Sequence, residues 1–417
     1  MNIAKWDLNL KVRIIGETVN SFLFWMYFPF MMLYFADLFG EKLAGLLMVI
    51  PPIIGIFANL FGGYATDRYG RKIIMITSLG IQSGLLVLFA LSDNPWFNFM
   101  LFNALTAMGS IYRPASMAMV ADLVPVEKRR EVFAAFYTAV NLGVVVGPLL
   151  GAFFFFNYRE LLILSSALVT FTIFMVMTKI LRETLPPSAK NTAVNFSIAE
   201  QFRNYSVIFS DKLFFLYIVA GILITQVFMQ LDLLLGVYLK KYFPEQVLNI
   251  GSLEIFFTGE KVFAWLFSEN GLLVVLFGVL ITKLFQSWSD ERALVVSSLL
   301  FGLSFWLMVF TTKLTTIFLL MALFTLAELI RTPVIQNFIT KIAPEDKRGQ
   351  YIAASTLQFS VARIIAPLAV SLLAYFTPEI IFTLVFLSSI MSVFVYRRMF
   401  KLARTKMNES IQVPMDM

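Results

Sequence analysis

Twelve apolar runs, each long enough to cross a bilayer, constrain this chain more than any other feature. They occupy 14–36, 43–64, 73–92, 96–121, 131–156, 160–181, 213–239, 270–287, 293–311, 314–340, 350–376 and 380–396. A hydrocarbon core of about 30 Å needs roughly 20 apolar residues per helix. In lipid the backbone must satisfy its own polar groups, so such runs predict helices. The first run, interrupted by Glu17 and Asn20, is too long for a cleaved signal peptide. Of the 417 residues, 59% are hydrophobic and 14% charged, against about 25% charged in a soluble domain. The fold class is therefore all-α and membrane-embedded, with twelve transmembrane helices.

Several chemistries are excluded at once. Without cysteine there is no disulfide or thiolate metal site, and without histidine any proton exchange near neutral pH falls to carboxylates. The formal charge of +7 does not indicate nucleic acid, because the basic residues sit in short clusters between apolar runs. With both termini on the cytoplasmic side, inner loops and tails hold 24 Lys and Arg. Outer loops hold six, Lys42, Arg159, Lys240, Lys241, Lys261 and Lys313. The positive-inside rule selects that orientation.

An internal repeat runs at an offset of 219. Pro114, Pro125 and Pro148 recur as Pro333, Pro344 and Pro367, and Lys128-Arg129 and Ala134-Ala135 recur as Lys347-Arg348 and Ala353-Ala354. The repeated spans are four and five against ten and eleven, an even displacement, so the halves run parallel about an axis along the membrane normal. The expected organisation is a six-helix bundle over 1–181, a polar cytoplasmic linker over 182–212, and a second bundle over 213–417 with an outer loop at 240–269. That loop mixes charges with Ile255, Phe256, Phe257, Phe263, Trp265 and Leu266. It reads either as a short amphipathic helix on the outer leaflet or as a plug over a cavity mouth.

The loop between spans two and three reads GGYATDRYGRK. Gly63 permits close helix approach and Gly70 permits the left-handed backbone that ends a helix. Asp67 can accept from free amides at the next helix start or pair with an arginine. Arg68, Arg71 and Lys72 anchor a cytoplasmic loop. The set Gly63, Asp67, Arg68, Gly70, Arg71 and Lys72 resembles the loop 2–3 signature of the major facilitator superfamily, in which this loop is a cytoplasmic latch for the outward-open state. The matching loop 8–9 keeps Asp290 and Arg292 but lacks the glycines. In span five, Gly143, Gly147, Pro148 and Gly151 form G-x-x-x-G-P-x-x-G. This is similar to the signature of drug–proton antiporters of that superfamily. Such packing glycines are also common between ordinary membrane helices.

Ionisable residues at membrane depth are costly and face cavities or partners. Glu17, Arg113, Asp232 and Glu328 fall one each on spans one, four, seven and ten, which the resemblance implies line a central cavity. Glu17, Glu328 and Asp232 are the proton-coupling candidates, and Arg113 is the expected partner of Glu17. Glu328 and Arg331 are spaced to neutralise each other or to exchange a proton under arginine control. Arg331 and Arg363, with Asn20, Trp25, Gln226 and Gln230, complete the candidate cavity set. Aromatic and methionine side chains around few charges suit lipophilic, cationic compounds. The resemblance implies a proton-coupled exporter of small lipophilic molecules, working by alternating access as a monomer. Protons, a small-molecule substrate and the lipid bilayer are its partners. No cofactor and no enzyme activity are expected, and the proton gradient supplies the energy. A nutrient–proton symporter, a lipid or glycolipid flippase and a non-transporting membrane receptor are the alternatives.

Overall fold

The computed structural model describes residues 6–185, 211–250, 253–344 and 348–412. Most of the expected linker, including the PPSAKNTAVN stretch, lies outside the described residues. The chain is helical along every expected span and divides into two units. Unit one holds Met1–Phe196 and Glu245–Gly271, and unit two holds Ser197–Pro244 and Leu272–Met417.

Unit one opens with α1 (Leu8–Tyr27), a 3-10 turn at Phe28–Phe30, and α2 (Met31–Leu47). Pro29 sits in that turn, where its missing N–H costs least. A positive φ of 77° at Gly40 divides α2, ending the first span and starting the second, which continues as α3 (Ile50–Tyr69). Four helices follow: α4 (Arg71–Leu91), α5 (Pro95–Leu123), α6 (Val126–Asn157) and α7 (Arg159–Ile180). Helix α1 packs on α6, α3 on α5, and α4 on α5 and α7. Ala65, Met75, Leu79, Ala115, Met119 and Met177 form a buried core between them.

Unit two has α8 (Lys212–Phe228), a 3-10 turn at Met229–Leu231 and α9 (Leu234–Tyr242) as its first span. Strands β1 (Gln246–Ile250) and β2 (Leu253–Phe257) come next and pair antiparallel, Gln246 opposite Phe257. They precede α10 (Gly259–Leu284), which belongs to unit one as far as Gly271 and to unit two from Leu272. The remaining helices are α11 (Asp290–Leu307), α12 (Leu314–Ile342), α13 (Arg348–Ser355), α14 (Leu357–Ile365), α15 (Leu368–Leu372) and α16 (Pro378–Gln412). Helix α8 packs on α14 and α16, and α11 on α12 and α16. Phe214, Tyr217, Leu294, Phe338, Tyr351 and Tyr396 lie at its core.

Two expectations are corrected here. The outer segment 240–269 is not a short surface helix. It is a β-hairpin, as its β-branched and aromatic residues favour, followed by the first eleven residues of α10. Span eight is therefore 26 residues long and starts at Gly259, not 270. Span eleven is not one helix but three pieces, divided at Thr356 and at Ala366-Pro367. The repeat itself is visible: α5 and α12 both contain 29 residues, with a proline inside each at Pro114 and Pro333.

Candidate functional site

Unit one places a polar cluster between α1, α5 and α6. Arg13 is only 2% exposed. Its Nη2 donates to Ser116 Oγ at 2.5 Å, and its guanidinium lies 4.6 Å from the centre of the Phe136 ring. Ser116 Oγ in turn donates to Glu17 Oε2 at 3.4 Å, and Tyr112 OH approaches the same oxygen at 3.5 Å. Arg13 and Glu17 are four apart on α1, so both face α5. Arg13 Nε and Nη1 are buried without an acceptor.

This corrects the expected partner of Glu17. The cluster's guanidinium belongs to Arg13, whereas Arg113 is an exposed side chain on α5. Arg13 escapes a sequence reading because it stands at the polar edge of the first apolar run and counts as tail. Its one signal is the i,i+4 spacing from Glu17. Among the other candidates, Asn20 is half-buried. Trp25 packs on Gly147, where an added Cβ would stand 2.7 Å from the Trp25 Cβ. A Cβ on Gly143 would stand 3.0 Å from the Phe22 amide, and one on Gly151 would overlap the Met26 carbonyl. The span-five glycines thus seat α1 backbone against α6, and Pro148 lies inside a continuous helix.

Unit two buries Arg331 at 5% exposure. Its Nη1 donates to Ser298 Oγ at 3.3 Å and its Nη2 to Tyr396 OH at 2.5 Å, joining α12 to α11 and α16. Glu328, one turn earlier on α12, is half-buried. At the broken spans, Gln230 is fully buried and its Nε2 donates to Gln226 Oε1 and to the Ala366 carbonyl, each at 3.2 Å. Gln230 Oε1 has no partner. Asp232 ends the 3-10 turn and lies within electrostatic reach of Arg363.

The loop between α3 and α4 is held from three sides. Gly70 has φ of 107°. Arg71 donates from Nε to Asp122 Oδ2 at 3.0 Å and from Nη1 to the Thr66 carbonyl at 3.1 Å, with Asp67 Oδ1 at 3.3 Å. The free amides of Arg71 and Lys72 are capped by Glu183, at 2.9 and 3.2 Å. Asp67 therefore pairs with arginine, and the capping role goes to a residue the sequence placed in the linker. Arg68 donates to Tyr64 OH. A Cβ on Gly63 would meet no neighbouring element within 4 Å; Gly62 is the close-approach glycine, an added Cβ there standing 2.7 Å from the Ile111 Cα.

Comparison with known proteins follows the same lines. A family model described as Major Facilitator Superfamily matches residues 14–259 and 249–414. The chain is 40% identical over 415 residues to a Na(+), Li(+), K(+)/H(+) antiporter of Planococcus maritimus, covering 96% of this chain and 98% of that protein. It is 28% identical over 193 residues to the multidrug resistance protein MdtG of Klebsiella pneumoniae, covering 44% of this chain and 46% of that one. A POT family transporter solved with 5-aminolevulinic acid superimposes with a TM-score of 0.76 at 15% identity, over 95% of this chain and 96% of that one. A nucleoside transporter, NupG, does so with a TM-score of 0.76 at 13% identity, over 94% and 100%. These structures share the fold.

Proposed function

The chain belongs to the major facilitator superfamily, a multi-pass membrane transporter and not an enzyme, and from that premise we propose that it exchanges protons for monovalent alkali cations. The observation that carries this reading is the near-full-length likeness to a cation/proton antiporter. The structure adds chemistry that suits it. Alkali ions prefer hard oxygen ligands, and transporters of broken-helix design bind them where a span unwinds. The α-helix of span seven is interrupted by the 3-10 turn Met229–Leu231 and the turn at Asp232-Leu233. This break holds Gln230, its buried Oε1 without a partner among the described residues, and Asp232.

In this mechanism the carboxylates Glu17, Asp232 and Glu328 take a proton on one face and release it on the other. For two of them a nearby arginine sets the competition: Arg13 through Ser116 for Glu17, and Arg363 for Asp232. Alternating access presents these groups to one side of the membrane and then to the other. The basic loops support cytoplasmic termini in the plasma membrane, and the proton gradient drives export of the cation.

A second reading is supported by the resemblance to MdtG and by the span-five glycines, namely proton-driven export of lipophilic compounds. One assay tests both. Proteoliposomes with an imposed pH gradient receive sodium, lithium, potassium or choline chloride. The antiport reading expects the three alkali salts, but not choline, to dissipate the gradient, and expects Asp232→Asn and Glu17→Gln to abolish the effect. If none of the salts dissipates the gradient and a lipophilic cationic dye, added in a parallel arm, does, the second reading replaces the first.

A further inference from the structure

The eighth span carries a carboxylate that none of the roles above uses. Glu269 is the eleventh residue of α10, about 15 Å along the helix axis from its start. It lies in the stretch Phe267-Ser268-Glu269-Asn270-Gly271. Ser268 is 4% exposed, and both Ser268 Oγ and Glu269 Oε2 are buried with no hydrogen-bond partner among the described residues. In unit one this stretch packs on α1 and α6. The Phe267 ring is 5.7 Å from that of Trp25, Phe263 is 5.8 Å from Phe30, and a Cβ on Gly271 would lie 3.2 Å from Val145 Cγ2. These contacts set Glu269 beside the middle of the first span, not in an outer loop.

Charged groups are sparse at this depth in the helices packed on this part of α10. From Thr18 to Tyr27, α1 carries no charge, and Tyr27 is its one titratable side chain. From Thr138 to Asn157, α6 carries none. Along α10 itself, Glu260 and Lys261 lie two turns toward the start and Lys283 nearly four turns toward the end. Arg13 and Glu17 are two to three turns below Trp25 on α1. The stretches of α1 and α6 packed beside this part of α10 thus offer no built-in cation at its depth. A carboxylate at this depth with an unfilled oxygen is costly until a proton or a cation neutralises it. A neighbouring buried hydroxyl with a free lone pair is a hard ligand.

We propose that Glu269 and Ser268 form a second cation site, at which an alkali ion and a proton compete for the Glu269 carboxylate. The identity of the ion rests on the antiport reading; the site itself does not. The test uses the full-length protein in detergent and a lipophilic carbodiimide. The reagent labels only a protonated carboxyl. The acid adds across a C=N bond, its proton passing to nitrogen, and the O-acylisourea rearranges to a stable N-acylurea with nothing released. Peptide mass spectrometry locates the adduct.

The expected result is labelling at Glu269 that sodium or lithium chloride suppresses severalfold more than choline chloride at equal ionic strength. In Ser268→Ala the cation concentration for half-protection rises, while labelling without cation is unchanged. Equal labelling in sodium and choline overturns the site, as does an absence of adduct at Glu269 at every pH. If protection at Glu269 holds but proteoliposomes show no cation–proton exchange, the site stands and the antiport reading falls. If exchange is intact in Glu269→Gln and protection is absent in the parent, the site alone falls.

Discussion

The start of α4 and the start of α11 hold corresponding places in the two units, and they are tied to the next helix by ion pairs of opposite polarity. In unit one the base is on the earlier helix, Arg71 reaching Asp122 near the end of α5 at 3.0 Å. In unit two the acid is on the earlier helix, Asp290 receiving Lys341 near the end of α12 at 2.7 Å. Positions 122 and 341 are 219 apart, so the repeat preserves the contact while reversing its sign. The reversal has an energetic consequence. A helix start favours negative charge and a helix end positive charge. Asp290 and Glu291 begin α11 and Lys341 closes α12, as that rule prefers. Arg71 begins α4 and Asp122 closes α5, against it. Unit one restores the balance with a carboxylate from elsewhere: Glu183 sits over the start of α4 and accepts from Arg71 and Lys72. Gly70 leaves room for it, because an added Cβ would overlap the Glu183 carboxylate.

The sharpest way to break this comparison is Arg71→Ala. The side chain is 10% exposed and holds Asp122, Asp67 and the Thr66 carbonyl. Removing it leaves two acids near a helix end with reduced compensation, at a cost of about 3 kcal/mol. A fall of several degrees in the thermal unfolding midpoint in detergent, with matching loss of transport, is expected. An unchanged midpoint would mean the pair is ornamental. Next in size is Gly70→Ala, about 2 kcal/mol, since a φ of 107° is unfavourable for any residue with a Cβ and the new methyl displaces Glu183.

Glu183→Ala comes third, about 1 kcal/mol, as for the loss of a helix cap. Its value lies in combination. Once Glu183 is shortened, the Gly70→Ala methyl has nothing to displace, so the double variant should cost clearly less than the two single losses added. Strict additivity in a cycle of unfolding midpoints would show that Gly70 is needed for its backbone alone.

What the sequence made legible was whatever depends on periodicity and local conformation. The helical spans and the turn at Gly70 follow from residues close to one another in the chain, and the 219 offset from matching residue types, which needs no contact between them. The residues that escaped are those whose meaning depends on depth or on a distant partner. Arg13 looks like tail because a polar edge and a buried edge have the same composition; only packing against Phe136 and Ser116 distinguishes them. Glu269 looks like loop because hydropathy drops across Ser268, Glu269 and Asn270, although the helix runs through them. Glu183 reads as the second residue of a linker, and its partners lie more than a hundred positions away. Gly62 and Gly63 are adjacent, and nothing local reveals which one faces Ile111. The breaks in span eleven are half-legible: Pro367 marks one, yet its repeat mate Pro148 sits in an unbroken helix. The difference lies in neighbours. Gly147 lets Trp25 close against α6, whereas its counterpart Ala366 has a carbonyl that accepts from Gln230 across to span seven.

The smallest effect is expected at Lys341→Ala, and it bears most directly on the sign argument. Lys341 is half exposed and its single ion pair with Asp290 obeys the helix dipoles at both ends. Its loss forgoes a solvent-screened attraction worth under about 1 kcal/mol. Asp290 stays favourable at the start of α11, where Ser289 already caps the Arg292 amide at 3.2 Å. The deficit in unfolding midpoint should shrink further as salt is raised, because exposed pairs are screened, while that of Arg71→Ala should change little. If Lys341→Ala instead destabilised as much as Arg71→Ala, at low and high salt alike, dipole orientation would not distinguish the two units. The collar formed by Gly70 and Glu183 would then need another cause.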